Sequence, residues 1–287
     1  MTIDMIVSVF IIVAMIGFFA LSLRKAAQFA RMRIHARLDL YPMPREGGGR
    51  AAYGGSYMEE PEWWTKPRQL DEVNEFKDIL KEMLFIKKLY VNQRALWVGS
   101  FAMHMGFYVL FGWSILLLIS VFWHPDFFVT GTWIVGAVGF ALGLLGTVIL
   151  LVRRTTDRVL VKYTTPLEYV NLVLLLSVLL TGAYVWMFEA SPFVVAERVL
   201  TLQAEGLPPI IVVHLVLLGI AFLYIPLSKM SHYVGKFFAF HKVLWDNDPN
   251  LPGSDVERRL QQAAARPAQT GWSASKPAQP SSETLKG

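Results

Sequence analysis

Histidines are the residues of this chain whose type and position could support redox chemistry. The chain has no cysteine, which excludes disulfides, an iron–sulfur cluster of its own and covalently attached c-type haem. His104 and His214 lie inside long apolar segments, and His232 follows one of these segments directly. Ionisable residues within a membrane are costly and usually functional, and imidazole nitrogens can bind haem iron. These three histidines are therefore the main candidate functional residues.

The composition of the chain places it in the membrane class. Hydrophobic residues make up 54% of its 287 residues, and they are concentrated in segments long enough to cross a bilayer, which takes about 20 residues. The sequence therefore predicts an all-α membrane protein with five transmembrane helices. The predicted spans are residues 3–23, 96–122, 130–152, 167–188 and 208–228. The first span lacks a basic leader and a small-residue cleavage site, so we expect the mature protein to keep it.

Basic residues predict the orientation of the spans. Lysines and arginines cluster after span one, before span two, between spans three and four, and after span five. In the connections on the opposite side, Arg198 is the only lysine or arginine. Because cytoplasmic loops are enriched in Lys and Arg, the N-terminus is predicted to lie outside and the C-terminus in the cytoplasm. The net charge of +5 is ordinary for such a protein, and basic residues that flank spans give no indication of nucleic-acid binding.

His104 and His232 are predicted to lie at similar depths near the cytoplasmic side. His104 is about nine residues into span two from that side, and His232 is just past the cytoplasmic end of span five. One interpretation is that each imidazole forms a hydrogen bond to a neighbouring helix. The other is a b-type haem with one axial ligand from each of two facing helices, which two imidazoles at matched depth favour. Spans two to five would then form a haem-binding four-helix bundle.

The other two membrane histidines are harder to assign. His214 precedes His232 by eighteen residues, which is five helical turns or about 27 Å, so a continuous helix would place both rings on one face. His124 follows His104 by twenty residues, a rotation of about 200°. His124 would therefore face away from His104, and a ligand role for it would require a broken helix, which the adjacent Pro125 permits.

Small residues and a proline could shape the bundle further. Gly136, Gly139, Gly143 and Gly146 recur at helical spacing in span three, a face that either a neighbouring helix or a flat macrocycle could approach closely. Pro226 removes a backbone donor six residues before His232 and is expected to kink span five. Such a kink could orient the His232 side chain toward a ligand site.

Two segments are predicted not to cross the membrane. Residues 24–94 form a cytoplasmic connection after the first helix (1–23), and residues 233–287 follow the membrane bundle (95–232) as a cytoplasmic segment and disordered tail rich in Ala, Gln, Pro and Ser. The connection contains an amphipathic helix, which is expected to rest on headgroups or to lie under a partner subunit. Its apolar residues at helical spacing are Val73, Phe76, Leu80, Met83 and Leu84.

Residues 90–245 resemble a known family, the gamma subunit of respiratory nitrate reductase and related membrane cytochrome b subunits. These relatives include the membrane subunits of heterodisulfide-reductase-like and sulfate-reduction transmembrane redox complexes. The similarity rests on the stretch WVGSFAMHMGFYVLFG around His104 and on the His214–His232 spacing. The five-span topology with the N-terminus outside is also similar. The segment PLSKMSHYVGKFFAFHKVLWDNDPN is most similar to relatives that pair with iron–sulfur subunits of the heterodisulfide-reductase D type.

The resemblance implies specific haem ligands. Members with two haems carry two histidines ten residues apart in span two, and these pair with the inner and outer histidines of the last span. Carried over to this chain, His104 pairs with His232, but the second position is Ser114, which cannot ligate haem iron. His214 is therefore left without its expected partner. The outer haem would be absent, ligated differently or reached by His124, or His214 would bind a quinone carbonyl.

The resemblance also implies a function, an electron conduit in a prokaryotic cytoplasmic membrane. Electrons from menaquinol or another quinol would pass through haem b to a cytoplasmic iron–sulfur subunit docked on residues 24–94 and 233–250, and a periplasmic multihaem cytochrome c is a further implied partner. One alternative is a haem-free anchor that shapes a quinone pocket for such a complex. A small transporter is another alternative, although the sequence has no internal repeat and no charged residue near the middle of a span.

Overall fold

A computed structural model describes residues 2–31, 61–62, 71–244, 252–253 and 255–265. These residues form helices joined by turns, without a strand, and they divide into two units. The larger unit contains α1 (Ile3–Ala30), α2 (Glu72–Phe85), α3 (Lys87–Asn92), α4 (Arg94–Ser120), α5 (Asp126–Thr156), α6 (Arg158–Tyr163), α7 (Pro166–Tyr184), α8 (Pro192–Leu200), α9 (Pro209–Leu227) and α10 (His232–Leu244). The second unit has one described helix, α11 (Asp255–Ala265), within the segment predicted to be a disordered tail. The rest of that tail, and most of the predicted connection between residues 32 and 70, lie outside the described residues.

The prediction of five membrane-spanning segments is confirmed at the level of length and composition. The helices α1, α4, α5, α7 with its π-helical extension (Val185–Glu189), and α9 are long and apolar enough to cross a bilayer. Large apolar side chains such as Ile16, Ile134 and Val173 are exposed on their outward faces, which lipid chains could cover without cost. We call the end of the bundle with residues 121–125 and 190–208 the predicted outer end, and the opposite end the predicted cytoplasmic end.

Helices α4 and α5 pack closely through glycines. The four glycines of the small-residue face on α5 are all buried. A β-carbon added to Gly146 would lie 2.7 Å from the carbonyl oxygen of Gly99, and one added to Gly139 would lie 2.9 Å from the side chain of Leu110. Both neighbours belong to α4. Of the two interpretations of this face, close approach of a neighbouring helix is therefore the one that the structure supports.

Replacing Gly106 with alanine is expected to destabilise the bundle. A β-carbon at Gly106 would lie 2.5 Å from the α-carbon of Gly143, so α4 and α5 would have to move apart, and overpacking of this kind costs about 1–3 kcal/mol. Thermal unfolding of the purified protein in detergent should show a lower Tm. Gly112→Ala on the same helix is the matched control, because a β-carbon there would have no neighbour within 4 Å. Equal Tm values for the two variants would contradict this account of the glycine face.

Helix α1 runs parallel to α9 and packs along its length. At the predicted outer end, the Asp4 carboxylate accepts a hydrogen bond from the backbone N–H of Leu207 at 3.2 Å. Further along, Phe10 lies over Gly219, and the rings of Phe18 and Phe222 are 5.7 Å apart. The N-terminal helix is therefore an integral wall of the bundle.

The last span does not continue as one helix to His232, so the predicted five-turn relation between His214 and His232 is wrong. Helix α9 ends at Leu227, Ser228 is extended, and Lys229–Ser231 form a single 3₁₀ turn before α10 begins at His232. Pro226 lacks the N–H needed to continue the helical hydrogen bonds, and the Ser228 hydroxyl accepts a bond from the N–H of Met230 at 3.1 Å. The sequence predicts a kink at Pro226. In the structure the helix instead ends at Leu227, and the backbone is extended at Ser228.

A tight turn joins α5 to α7 at the predicted cytoplasmic end. Asp157 caps the short helix α6 by accepting hydrogen bonds from the backbone N–H groups of Leu160 and Val159. These two bonds lower the pKa of the Asp157 carboxyl below its usual value. Tyr169 of α7 then donates a hydrogen bond to the carbonyl oxygen of Arg154 at 2.6 Å, which fixes the start of α7 against the end of α5.

Candidate functional site

The structure brings His104 and His232 together at the predicted cytoplasmic end. His104 lies in the first half of α4, and His232 is the first residue of α10. Their ring centroids are 5.9 Å apart, and the ring planes are inclined at 66°. His104 is half-buried and His232 is exposed. Two histidines separated by 128 positions in the sequence thus form the closest pair of imidazoles that the sequence analysis selected.

Backbone carbonyls orient both imidazoles of this pair. Nδ1 of His104 lies 2.7 Å from the carbonyl oxygen of Ser100, and Nδ1 of His232 lies 3.2 Å from that of Lys229. A carbonyl oxygen can only accept, so Nδ1 carries the proton in each neutral ring. The lone pair of each Nε2 is consequently free to bind a metal. Nδ1–H bonds of this kind commonly fix the tautomer and orientation of metal-binding histidines.

The donor set of the pair fits a bis-histidine haem iron. The ring centroids are 5.9 Å apart, so both imidazoles are close enough to contribute ligands to one bound group. A haem iron needs only two protein ligands, because the macrocycle supplies the other four. No cluster of three or more His, Asp or Glu side chains suited to a bare metal ion occurs among the described residues.

A second candidate site lies in the predicted outer half of the bundle. His214 and Ser114 line one cavity of about 170 Å³, part of which is open to the surroundings. Residues of α1, α4, α7 and α9 form its walls, and α8 contributes Pro192 and Val195. Its lining is overwhelmingly apolar with a few polar groups, a combination that is common in pockets that bind small organic molecules.

Thr181 fixes the tautomer of His214. The Thr181 hydroxyl donates to the carbonyl oxygen of Ser177 at 2.8 Å, so its oxygen accepts from Nδ1 of His214, which lies 3.0 Å away. Nε2 of His214 therefore has a free lone pair in the neutral ring. A neutral imidazole with a free Nε2 can accept a proton or bind a metal.

The residues of this cavity do not fit a second bis-histidine haem. Ser114 faces the cavity at the position where the resemblance placed a histidine, and its hydroxyl donates to the carbonyl oxygen of Leu110 at 2.9 Å. His124 is exposed, its Nδ1 lies 3.2 Å from the carbonyl oxygen of Ser120, and it is not among the described residues that line the cavity. His214 is consequently the single imidazole of the lining.

An aromatic cluster beside His214 was not predicted from the sequence. The ring centroids of Trp113 and Trp186 are 5.8 Å apart, and both rings lie 5.6 Å from that of Phe140. Trp133 approaches Trp186 to 4.5 Å from the other side. Tryptophans near the ends of three different spans are a signal for such a cluster, but membrane proteins also place tryptophans there to contact lipid headgroups.

Two indole N–H groups of this cluster have no hydrogen-bond partner in the described part of the chain. Nε1 of Trp113 and Nε1 of Trp186 are buried, and both residues line the cavity. Buried indole donors usually find a partner. Trp186 also lies in the π-helical turn, a distortion that often occurs at functional sites. The two unpaired donors thus belong to residues that border the cavity, but their nitrogen atoms are packed against the protein.

Comparisons with known proteins give no support for or against a family assignment. No protein-family model, curated protein or solved structure matches the chain significantly. The resemblance noted above therefore rests on the quoted sequence motifs alone.

Proposed function

We propose that this protein is the membrane cytochrome b subunit of a respiratory redox complex, which passes electrons from the quinone pool to a cytoplasmic iron–sulfur subunit. The juxtaposition of His104 and His232 is the observation that carries the proposal. Two imidazoles on separate helices, each with Nδ1 bonded to a carbonyl and Nε2 free, are the ligand set that a b-type haem requires.

In this proposal the chain supplies the ligands and their orientation. His104 and His232 would hold the haem iron, and the carbonyl oxygens of Ser100 and Lys229 keep both rings in the tautomer with a free Nε2. The haem, when bound, would supply reversible one-electron chemistry. His104 is half-buried among apolar spans, and a low-dielectric surrounding is one of the factors that set a haem potential.

The distribution of Lys and Arg predicts which end of the bundle faces the cytoplasm. With the N-terminus outside a prokaryotic cytoplasmic membrane, the His104–His232 pair lies at the cytoplasmic end of the bundle. An iron–sulfur partner, for which the sequence resemblance suggests the heterodisulfide-reductase D type, would receive electrons there from a surface formed by residues 24–94 and 233–250. A periplasmic multihaem cytochrome c is a further partner that the resemblance suggests.

The cavity at His214 is the proposed site of quinol oxidation. A quinol loses two electrons and two protons when it becomes a quinone. Nε2 of His214 would accept one proton from a quinol hydroxyl, and the second would leave through the open side of the cavity. Menaquinol is the quinol that the resemblance favours.

The amount of haem bound per polypeptide tests this function. We expect a pyridine haemochrome assay of the purified protein to give one haem b, held by His104 and His232. Two haems would overturn the assignment of the His214 cavity to quinol, because a second iron would then have to use that histidine. A haem-free protein would overturn the cytochrome function and leave the anchor with a quinone pocket, which the apolar cavity at His214 would also suit.

A further inference from the structure

Side chains from two other helices bind the C-terminal turn of α2. The last four carbonyl groups of an α-helix have no donor within the helix. In α2, the carbonyl oxygen of Met83 accepts from the Tyr108 hydroxyl at 3.0 Å, and that of Phe85 accepts from Nε1 of Trp97 at 2.8 Å. The carbonyl oxygen of Glu82 lies 3.3 Å from Nζ of Lys236. Three donors from two other helices thus reach the same helix end.

These donors belong to the two helices that carry the inner histidines. Tyr108 and Trp97 lie on α4 on either side of His104, and Tyr108 follows it by four residues. Lys236 lies on α10 and follows His232 by four residues. Because four residues are about one helical turn, each histidine is next to a residue that bonds to α2.

An ion pair between a buried carboxylate and a partly exposed lysine strengthens the connection between α2 and α10. The Glu82 side chain is only 8% exposed, and its Oε1 lies 3.0 Å from Nζ of Lys236. Its Oε2 accepts a hydrogen bond from the backbone N–H of Lys88 at 2.9 Å, across a turn at Ile86 that has a positive φ of 50°. Without Lys236 the buried Glu82 carboxylate would lose its counter-ion, which is unfavourable, so this contact favours one arrangement of α2, α3 and α10.

Helix α10 needs such contacts because the backbone alone does not fix its position. Ser228 is extended and a 3₁₀ turn follows, so α10 is not a rigid continuation of α9. On one side, α10 packs against α1, where Tyr233 stacks on Phe18 at 6.0 Å and bonds to Ser22. The Lys236–Glu82 contact holds it from the α2 side.

We propose that the C-terminal turn of α2 is a clamp that positions His232 against His104, with Glu82, Lys236 and Tyr108 as positioning residues. The inference rests on the proposed haem site and adds a role for α2, a helix that contributes no ligand. The clamp connects the two ligand-bearing helices through a third helix, so the separation of the imidazoles is set before a haem binds.

The double variant Tyr108→Phe/Glu82→Gln tests the clamp. It removes one hydroxyl and one carboxylate charge, and neither residue is a proposed haem ligand. The matched control is Tyr169→Phe/Glu168→Gln at the joint of α5 and α7, where Tyr169 bonds to the carbonyl oxygen of Arg154 and Glu168 lies 3.7 Å from the Arg154 guanidinium. The control removes the same two kinds of interaction from helices that carry neither inner histidine.

The rate of haem transfer from the purified protein to apomyoglobin is the first readout. Loss of groups that orient metal ligands typically weakens binding about 10–100-fold, so we expect at least about a tenfold faster transfer from the clamp variant. The control should stay within about twofold of the unchanged protein. Equal rates for clamp variant and unchanged protein would overturn the clamp.

A second readout does not depend on haem. The chain has no cysteine, so nitroxide labels can be placed on cysteines introduced at Val98 of α4 and Phe237 of α10, both exposed. The distribution of distances between the labels should broaden in the clamp variant and stay narrow in the control. An unchanged distribution would overturn the clamp even if the protein binds haem.

If the unchanged protein has no haem, the proposed function fails, and the label distances still decide whether α2 positions the two helices. If the double variant does not accumulate, Tyr108→Phe alone is measured in the same two ways, with the same expected directions.

Discussion

His104→Ala and His232→Ala will each leave the purified protein without most of its haem b. Each substitution removes one of the two proposed haem ligands, whose ring centroids are 5.9 Å apart. Changes to groups that merely orient ligands cost about 10–100-fold in metal affinity, so loss of a ligand should leave less than about one tenth of the haem. The measurement is the haemochrome content per polypeptide, together with the reduced spectrum. His124→Ala is the control, because His124 is an exposed imidazole of the same protein and should keep full haem content.

Rescue by free imidazole distinguishes a lost ligand from a misfolded bundle. His232 is exposed, so its replacement by alanine should leave a space that an imidazole molecule can reach from solution. Added imidazole is therefore expected to restore haem binding and the low-spin spectrum in His232→Ala. Haem content that stays unchanged in both alanine variants would show that the two histidines are not the ligands.

The order and extent of the spans could be predicted from the sequence because hydropathy is a property of consecutive residues. The predicted span 167–188 corresponds to Pro166–Glu189 in the structure, and the predicted span 208–228 corresponds to Pro209–Leu227. The proximity of His104 and His232 could also be anticipated, because depth in a bilayer follows directly from position along a span. Depth alone, however, does not determine which faces of two helices meet.

The parts of the site that could not be predicted depend on contacts between distant segments. Glu82 lies on a helix whose apolar residues Val73, Phe76 and Leu80 are exposed, whereas Glu82 itself is buried. An amphipathic pattern predicts the opposite, because it contains no information about Lys236, which lies 154 positions later in the chain and neutralises the carboxylate. The break in the last span had a local signal in Pro226, but proline alone does not indicate whether a helix bends or ends.

The cavity at His214 could likewise be predicted only in part from the sequence. Ser114 was identified as a departure from the pattern of the resemblance, and the structure places it in the same cavity as His214. The two unpaired indole donors of Trp113 and Trp186 had no comparable signal, because tryptophans at the ends of spans are common in membrane proteins. The sequence therefore shows that Ser114 replaces an expected haem ligand, but it does not show the aromatic residues that surround His214.

Replacing His214 with phenylalanine will slow quinol oxidation and leave haem content unchanged. Phenylalanine keeps a planar ring in the cavity but lacks the Nε2 lone pair that is proposed to accept the quinol proton. A positioned general base typically contributes about 10²–10⁴-fold to a rate, so we expect a decrease of that order. The measurement is the rate of haem reduction by the quinol menadiol in a stopped-flow experiment, with dithionite reduction of the same sample as the control for intact haem.

Two further variants test whether the slower quinol oxidation is caused by loss of the proton acceptor. Thr181→Val removes the oxygen that accepts from Nδ1 of His214, and loss of such an orienting group should slow menadiol oxidation about 10–100-fold. Ser114→Ala removes a hydroxyl that already donates to the Leu110 carbonyl, so its rate should be nearly unchanged. A graded series in which His214→Phe is slowest, Thr181→Val intermediate and Ser114→Ala unaffected would identify the imidazole as the group that takes the proton.

If His214→Phe oxidises menadiol at the unchanged rate, the quinol must bind elsewhere, and the free Nε2 would have to serve a ligand other than a quinol. If the variant instead loses haem, His214 is an iron ligand after all, and the bundle would hold its haem at the predicted outer end.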